Sequence, residues 1–363
     1  MRLPGNPRRL MLRLTREAAT TALAVVVGFS GWLFGPADAA AAASASAAPP
    51  GVATWRADRI AGQRLPDPSR AAPAQVARFF AHLDPGQRAA LADRYPDIVG
   101  NLDGAPLDLR FEVNARLSSW SPERHVISYD RRGNGHVAEV MGDLATADRI
   151  AVIVPGLSNR LDNFDRGCAG RERRAPAWQA RQLYQQVRAL DGTARVAVIA
   201  WLGYDPPEGI GREAVREERA RAGAAALSRF VGGLGLYRPA ATVTLVGHSY
   251  GSVVAGLAAP SLGRRVRDIV ALGSPGMGVE RAAELRTTAR VWAGSTLSDW
   301  TRDVPGIRLF GAGHGTLPFD AAFGARPLPV DNVVEHDGYF VPGSDSLRAV
   351  AQIALGRSTN DRG

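Results

Sequence analysis

The sequence predicts an α/β protein with a mostly parallel central sheet and helices on both faces. Two observations carry that expectation. From about residue 125, short apolar runs alternate with longer helical stretches, and near-continuous apolar strands are those buried on both faces. One run, "ATVTLVG", ends in a glycine, after which "HSYGSVVAG" sets a serine on a turn and opens a small-residue apolar helix.

The elements follow in order. Residues 1–39 begin with Arg2, Arg8, Arg9, Arg13 and Arg16, continue with the uncharged "AATTALAVVVGFSGWLFGPA", and end in small residues that include Ala37-Asp38-Ala39. This basic, apolar, small order is that of a secretory signal, with an uncleaved membrane anchor as the competing reading. Either places the protein outside the cytoplasm, in the medium or the cell envelope. Residues 40–75 are rich in Ala, Ser and Pro and read as a linker. Residues 76–120 form a small helical segment; Asp84, Pro85 and Gln87 spell a capping box at one of its helix starts. The α/β core occupies 121–363. "HVISYD" and "HVAEVMG" form a hairpin across "RRGNG". "RIAVIVPG", "RVAVIAWLGYD", "ATVTLVG", "DIVALGSPG" and "RVWAGS" are strands, and helices are expected near 176–190, 210–231, from 252 and at 344–355.

Composition removes several function classes. With 363 residues and 45% hydrophobic content the chain has ample material for one large core. Its net charge of +9 comes from arginines interspersed with acids, the pattern of a solvated surface and not of a nucleic-acid site. No lysine is present, which excludes a lysine Schiff base and a lysine-bearing phosphate loop. Cys168 is the only cysteine, so neither an intramolecular disulfide nor a cysteine zinc cluster is possible. No cofactor and no metal are expected.

Chemistry concentrates at the turn after "TVTLV". A serine hydroxyl is a weak nucleophile unless a base can reach it, so the chain must turn sharply to present it. Such a turn crowds the residues two before and two after Ser249, and both are glycines, Gly247 and Gly251. The acid and base are expected in the chain order Ser, Asp, His. "RVWAGSTLSDW" places Asp299 in the loop after a later strand, with Asp303 the alternative. Of the six histidines, His336 in "VVEHDGYF" lies shortly before the last helix, where the base of this order belongs; His314 lies in "FGAGHGTLPF" and reads as turn chemistry. An oxyanion would be held by the backbone N–H of Tyr250 and, after "AVIVPG", of Leu157, where Gly156 permits close approach.

With "YPDIVGNLDGAPLDLRFEVN", "MGDLATA", "VPGLSNRLDNF", "WLGYDPP", "GHSYGS", "LGSPGMG" and "HDGYF", the chain resembles, over about residues 75–355, the actinobacterial α/β-hydrolases of unassigned substrate. The resemblance implies an α/β-hydrolase fold and a Ser249-Asp299-His336 triad. Trp300 departs from the pattern, standing where a proline or similar residue is expected after the acid.

"SPGMGVERAAELRTTA" leaves room for one short helix only, so no large cap is expected over the site, whereas the loop "LSNRLDNFDRGCAGRERRAP" is long enough to border it. An open site suits an ester or other acyl compound, small molecule or lipid. An acyltransferase with the same residues, or an envelope-binding relative without the chemistry, stays open as an alternative.

Overall fold

Strands of β-branched and small apolar residues build the centre of the computed structural model, which describes residues 48–357 except residue 122 and residues 309–311. The main sheet has eight strands, preceded in the chain by the short hairpin of β1 (Arg59–Ile60) and β2 (Gln63–Arg64). They are β3 (His125–Asp130), β4 (His136–Met141), β5 (Arg149–Val154), β6 (Val196–Leu202), β7 (Thr242–His248), β8 (Val266–Leu272), β9 (Arg290–Gly294) and β10 (Arg326–Pro327). Their order is β10-β9-β8-β7-β5-β6-β4-β3, with β6 to β10 and β5 parallel and β4 antiparallel to both its neighbours.

The apolar runs are explained by burial on two sides. On β5, Ile150, Val152 and Val154 join one core while Ala151 and Ile153 join the other. From Ile150 to Val154 no position of the strand faces water, so polar alternation has no place there.

Helices α1 (Val52–Ala57), α2 (Pro73–Ala81), α3 (Pro85–Arg94), α4 (Pro96–Val99) and α5 (Leu107–Leu117) precede the sheet. The predicted capping box is present: the Asp84 side chain accepts the Gln87 N–H and Gln87 returns to the Asp84 N–H. The stretch 40–75, expected as a linker, is folded from Val52 onward. Trp55 is fully buried in a third core, donates Nε1–H to the Pro66 carbonyl at 2.7 Å and meets Tyr95 edge-on. A single large aromatic surrounded by small residues hardly alters a composition count, which is why the sequence pattern hid it. The signal or anchor expected at residues 1–39 lies outside the described residues.

Around the sheet follow α6 (Pro176–Leu190), α7 (Arg212–Val215), α8 (Glu218–Tyr237), α9 (Gly251–Ala258) and α10 (Asp345–Ala354). The single helix expected near 210–231 is two. Arg216 is extended between α7 and α8 and bridges Ala312, and the buried Glu217 is held by Arg221 and Arg308. A long-range bridge overrides local helix propensity there. The short helix expected before β9 is a single 3-10 turn, Ala282–Leu285.

The layer before the sheet is anchored through Arg110, whose buried guanidinium reaches the Gly100 carbonyl, Asp103 and the Tyr237 hydroxyl on α8. Replacing Trp55 with alanine should cost about 3–5 kcal/mol of stability through lost burial and a residual cavity. A denaturant titration of Trp55→Ala against the parent checks this.

Candidate active site

β5 lies between β6 and β7, so strands after β5 are laid down on opposite sides of it and the loops leaving β5 and β7 part company. A crevice at such a reversal is where parallel sheets take ligands. Leu157 follows β5 and Ser249 follows β7, so both stand at that crevice.

Ser249 adopts φ +55°, a left-handed conformation that side-chain-bearing residues avoid. Its own N–H donates to the Leu272 carbonyl at the end of β8, and its carbonyl accepts both the N–H and the hydroxyl of Ser252. The glycines flanking it are required by space. A Cβ at Gly251 would lie 2.1 Å from the Val154 carbonyl oxygen, and one at Gly247 would lie 2.5 Å from the Ser252 Cα. Gly156 is pressed against the serine itself, with Ser249 Cβ 2.7 Å from where its own Cβ would be.

The peptide joining Gly156 to Leu157 has a set direction. Asn159 Nδ2 donates to the carbonyls of Gly156 and Leu157 at 3.1 and 3.2 Å. Because a trans peptide points its N–H opposite its carbonyl, holding the Gly156 carbonyl on Asn159 turns the Leu157 N–H away from it. Tyr250 sits at the N-terminus of α9; its hydroxyl is spent on the Arg216 carbonyl, so only its backbone N–H is left to serve the site.

His336 and Asp299, the residues expected as base and acid, come from two other loops. His336 Nδ1–H donates to Asp299 Oδ1 at 2.8 Å and Oδ2 at 3.0 Å, a pairing that leaves Nε2 as the ring's basic nitrogen. The Asp299 side chain is wholly buried and accepts three further bonds, from the Tyr339 hydroxyl, the Thr301 N–H and the Thr301 hydroxyl. Burial by itself raises its carboxyl pKa, but the His336 hydrogen bond and charge, with Tyr339 and Thr301, hold it well below the usual carboxylate range. Asp299 is therefore an ionised, fully bonded acceptor.

Gly273, at the end of β8, joins the two halves. A Cβ on it would meet Asp299 Oδ2 and His336 Nδ1 at 2.5 and 3.0 Å, while the preceding Leu272 holds the Ser249 N–H. Ser249 and the His336–Asp299 pair thus flank the same two residues of one strand end. Of the two aspartates weighed for the acid, Asp299 meets His336, and Asp303 is exposed on the following turn. His314 is engaged elsewhere: its Nε2–H goes to the Ala214 carbonyl, and its ring packs against Tyr250. Trp300, the departure from the family pattern, packs its ring against that of His336 with centroids 4.9 Å apart. The long loop after β5 does border the site, through Arg174, which pairs with Asp337 at 2.7 Å.

Four contributors escaped sequence reasoning: Asn159, Thr301, Tyr339 and the side chain of His248. Tyr339 stood in "HDGYF" three residues after His336, but nothing in that spacing says that its hydroxyl folds back onto an acid forty residues earlier. His248 is buried against His336 and donates Nε2–H to the His336 carbonyl at 2.9 Å.

A doubly covered parallel sheet, a serine strained at the turn between a strand and a helix, and a buried carboxylate–imidazole pair beside it define the α/β-hydrolase class. The chain belongs to the α/β-hydrolase family: a family model described as alpha/beta hydrolase matches residues 130–309. The uncharacterized protein Mb0988c of Mycobacterium bovis is 35% identical over 54% of this chain and 68% of its own length. The uncharacterized protein Rv2079 of Mycobacterium tuberculosis is 26% identical over 81% of this chain, which spans 57% of that relative's length. Among solved structures, XC6422 from Xanthomonas campestris, described as an α/β serine hydrolase without lid, aligns at 12% identity and a TM-score of 0.37 over 65% of this chain and 95% of its own.

The buried histidine also has a consequence for stability. Burial, with the neighbouring His336 charge, lowers the pKa of His248 from 6.5 to about 4. Between those values the unfolded chain holds more of the His248 proton than the folded one, so the contribution of this group to stability is fully present above pH 6.5 and is lost as pH falls toward 4. Urea midpoints at pH 5 and pH 7.5 should differ in the parent, with a smaller difference in His248→Gln, whose side chain does not titrate.

Proposed function

We propose that the protein is a serine hydrolase that cleaves a carboxylic ester through an acyl-enzyme on Ser249. The observation that carries this reading is the strained φ of +55° at Ser249, held between Gly156 on one side and the strand end that meets His336 and Asp299 on the other. A left-handed side-chain-bearing residue costs about 1–3 kcal/mol; six other described non-glycine residues share that conformation, and at Ser249 it falls on a hydroxyl beside the strand end that meets the buried His336–Asp299 pair.

In the reaction, the Ser249 oxygen attacks the ester carbonyl carbon as its proton passes to His336 Nε2. The oxyanion so formed accepts hydrogen bonds from the N–H groups of Leu157 and Tyr250, each of which supplies about 3 kcal/mol of transition-state stabilisation. Collapse breaks the bond to the alkoxy group, which leaves as the alcohol with the proton from His336. Water then attacks the acyl-enzyme, giving its proton to the same nitrogen, and the acid is released as Ser249 regains its hydrogen. Asp299 keeps its charge throughout and stabilises the imidazolium.

The rim around this site supports an apolar acyl group. Among the described residues six large hydrophobic residues are exposed; Ile210, Leu297, Ile307 and Val334 lie in segments that follow β6, β9 and β10, Val215 ends α7 after β6, and Leu236 lies on α8. Leu297 and Val334 are 88% and 66% exposed, and the residues that follow them in the chain, Ser298 and Glu335, are joined by a bond from the Glu335 N–H to Ser298 Oγ. Ile210 follows Gly209, whose N–H donates to Ser158 Oγ beside Leu157. Export belongs to this reading as well, on the basic-apolar-small order of residues 1–39.

Ser249→Ala should abolish turnover of a chromogenic ester and labelling by a fluorophosphonate while leaving the circular dichroism spectrum unchanged. Turnover that survives the substitution refutes the reading. Leu297→Asp should raise KM for long-chain esters by roughly tenfold, the equivalent of about 1.4 kcal/mol, and leave acetyl esters little changed; steady-state kinetics over a chain-length series measures the difference.

A further inference from the structure

The loop that carries His336 is held from several directions, and all but one of them fix it to something other than the nucleophile. His336 Nδ1 bonds Asp299, the Glu335 N–H bonds Ser298 Oγ, and Asp337 pairs with Arg174. The first two tie the loop to the segment after β9, and the third ties it to the loop after β5. The loop also carries Glu335 in a left-handed conformation at φ +60°, so it is not at rest without its anchors.

The remaining contact is of a different kind. His248, the last residue of β7, donates Nε2–H to the main-chain carbonyl of His336 at 2.9 Å, and the two rings lie 4.8 Å apart. Tyr339 and Phe340 close over the His248 ring at centroid distances of 5.9 and 6.3 Å. His248 is only 6% exposed, so this hydrogen bond is made out of water and its geometry is restricted by packing. One peptide bond separates His248 from Ser249.

We propose that His248 is a positioning residue that sets the distance between the nucleophile and its base. Its side chain grips the backbone of His336, and its own backbone continues directly into Ser249, so one residue holds both partners of the proton transfer. The claim rests on the proposed roles of Ser249 and His336. It needs a donor at the reach of the imidazole Nε2 and does not need a positive charge. A leucine fills similar space without a donor, a glutamine amide donates from a similar reach, and an asparagine is too short.

The experiment is ester turnover by His248→Leu, His248→Gln and His248→Asn, together with the rate of fluorophosphonate labelling and circular dichroism. A misplacement of a reacting group by about 1 Å costs up to about 100-fold. His248→Leu is therefore expected to lose about 10- to 100-fold in kcat and in labelling rate, with KM within about twofold of the parent. His248→Gln should recover most of the loss. Full activity in a folded His248→Leu, or a His248→Gln as poor as His248→Leu, overturns the proposal. Should His248→Leu not fold, the Gln and Asn variants decide between themselves: Gln well above Asn supports the proposal, and equal rates refute it. Parent turnover that persists in Ser249→Ala removes the underlying functional reading, whereas Ser249-dependent turnover that is indifferent to all three His248 variants removes this inference alone.

Discussion

The whole site depends on how closely the turn after β7 is pressed onto the backbone that leaves β5. Gly251 lies against the Val154 and Pro155 carbonyls, and Gly156 lies against Ser249, at separations that leave no room for a Cβ on either side. That contact forces the left-handed backbone at Ser249, lifts its side chain off the sheet, and sets the Gly156–Leu157 peptide beside it. Any side chain at these glycines would separate the two strand ends and take the serine away from the backbone N–H groups around it.

A second condition is electrostatic. A carboxylate with no exposed surface is costly unless its lone pairs are occupied. Asp299 meets that condition with the His336 imidazole, the Tyr339 hydroxyl and two groups of Thr301. The same bonds that make the buried charge tolerable also fix the imidazole's tautomer, because a ring that donates from Nδ1 keeps Nε2 free as a base. Stabilising the Asp299 carboxylate and orienting the His336 ring are one arrangement, and Tyr339 belongs to it as much as Thr301 does.

The two cores differ in what they hold. One packs α8 and α9 onto the sheet behind the Ser249 turn, and the other packs α6 and α10 beneath the His336 loop. β7 contributes to both, with Leu245 in the first and Val246 in the second. His248 ends that strand and Ser249 follows it, so their positions are inherited from a strand packed on both faces.

Much of this was legible in the chain. Strand runs such as "AVIV" and "VAVIA" could be read because burial on both faces leaves a local, one-dimensional signature, and the glycines around Ser249 could be read because crowding at a turn acts over two residues. The capping box at Asp84 was legible for the same reason. The long-range partners were not. Trp55 in its core, the break at Arg216, the grip of Tyr339 on Asp299, Asn159 on its own loop carbonyls and His248 on the His336 backbone are all contacts whose partners are chosen by folding. The sequence by itself determined the order of strands β3 to β9, the sharp turn at Ser249 and the residue types able to act as acid and base, since those follow from local sterics and periodicity. Only the tertiary structure decided that Asp299 and not Asp303 meets His336, and which buried side chains hold that pair, because a hydrogen bond has direction and reach that spacing along a chain does not encode.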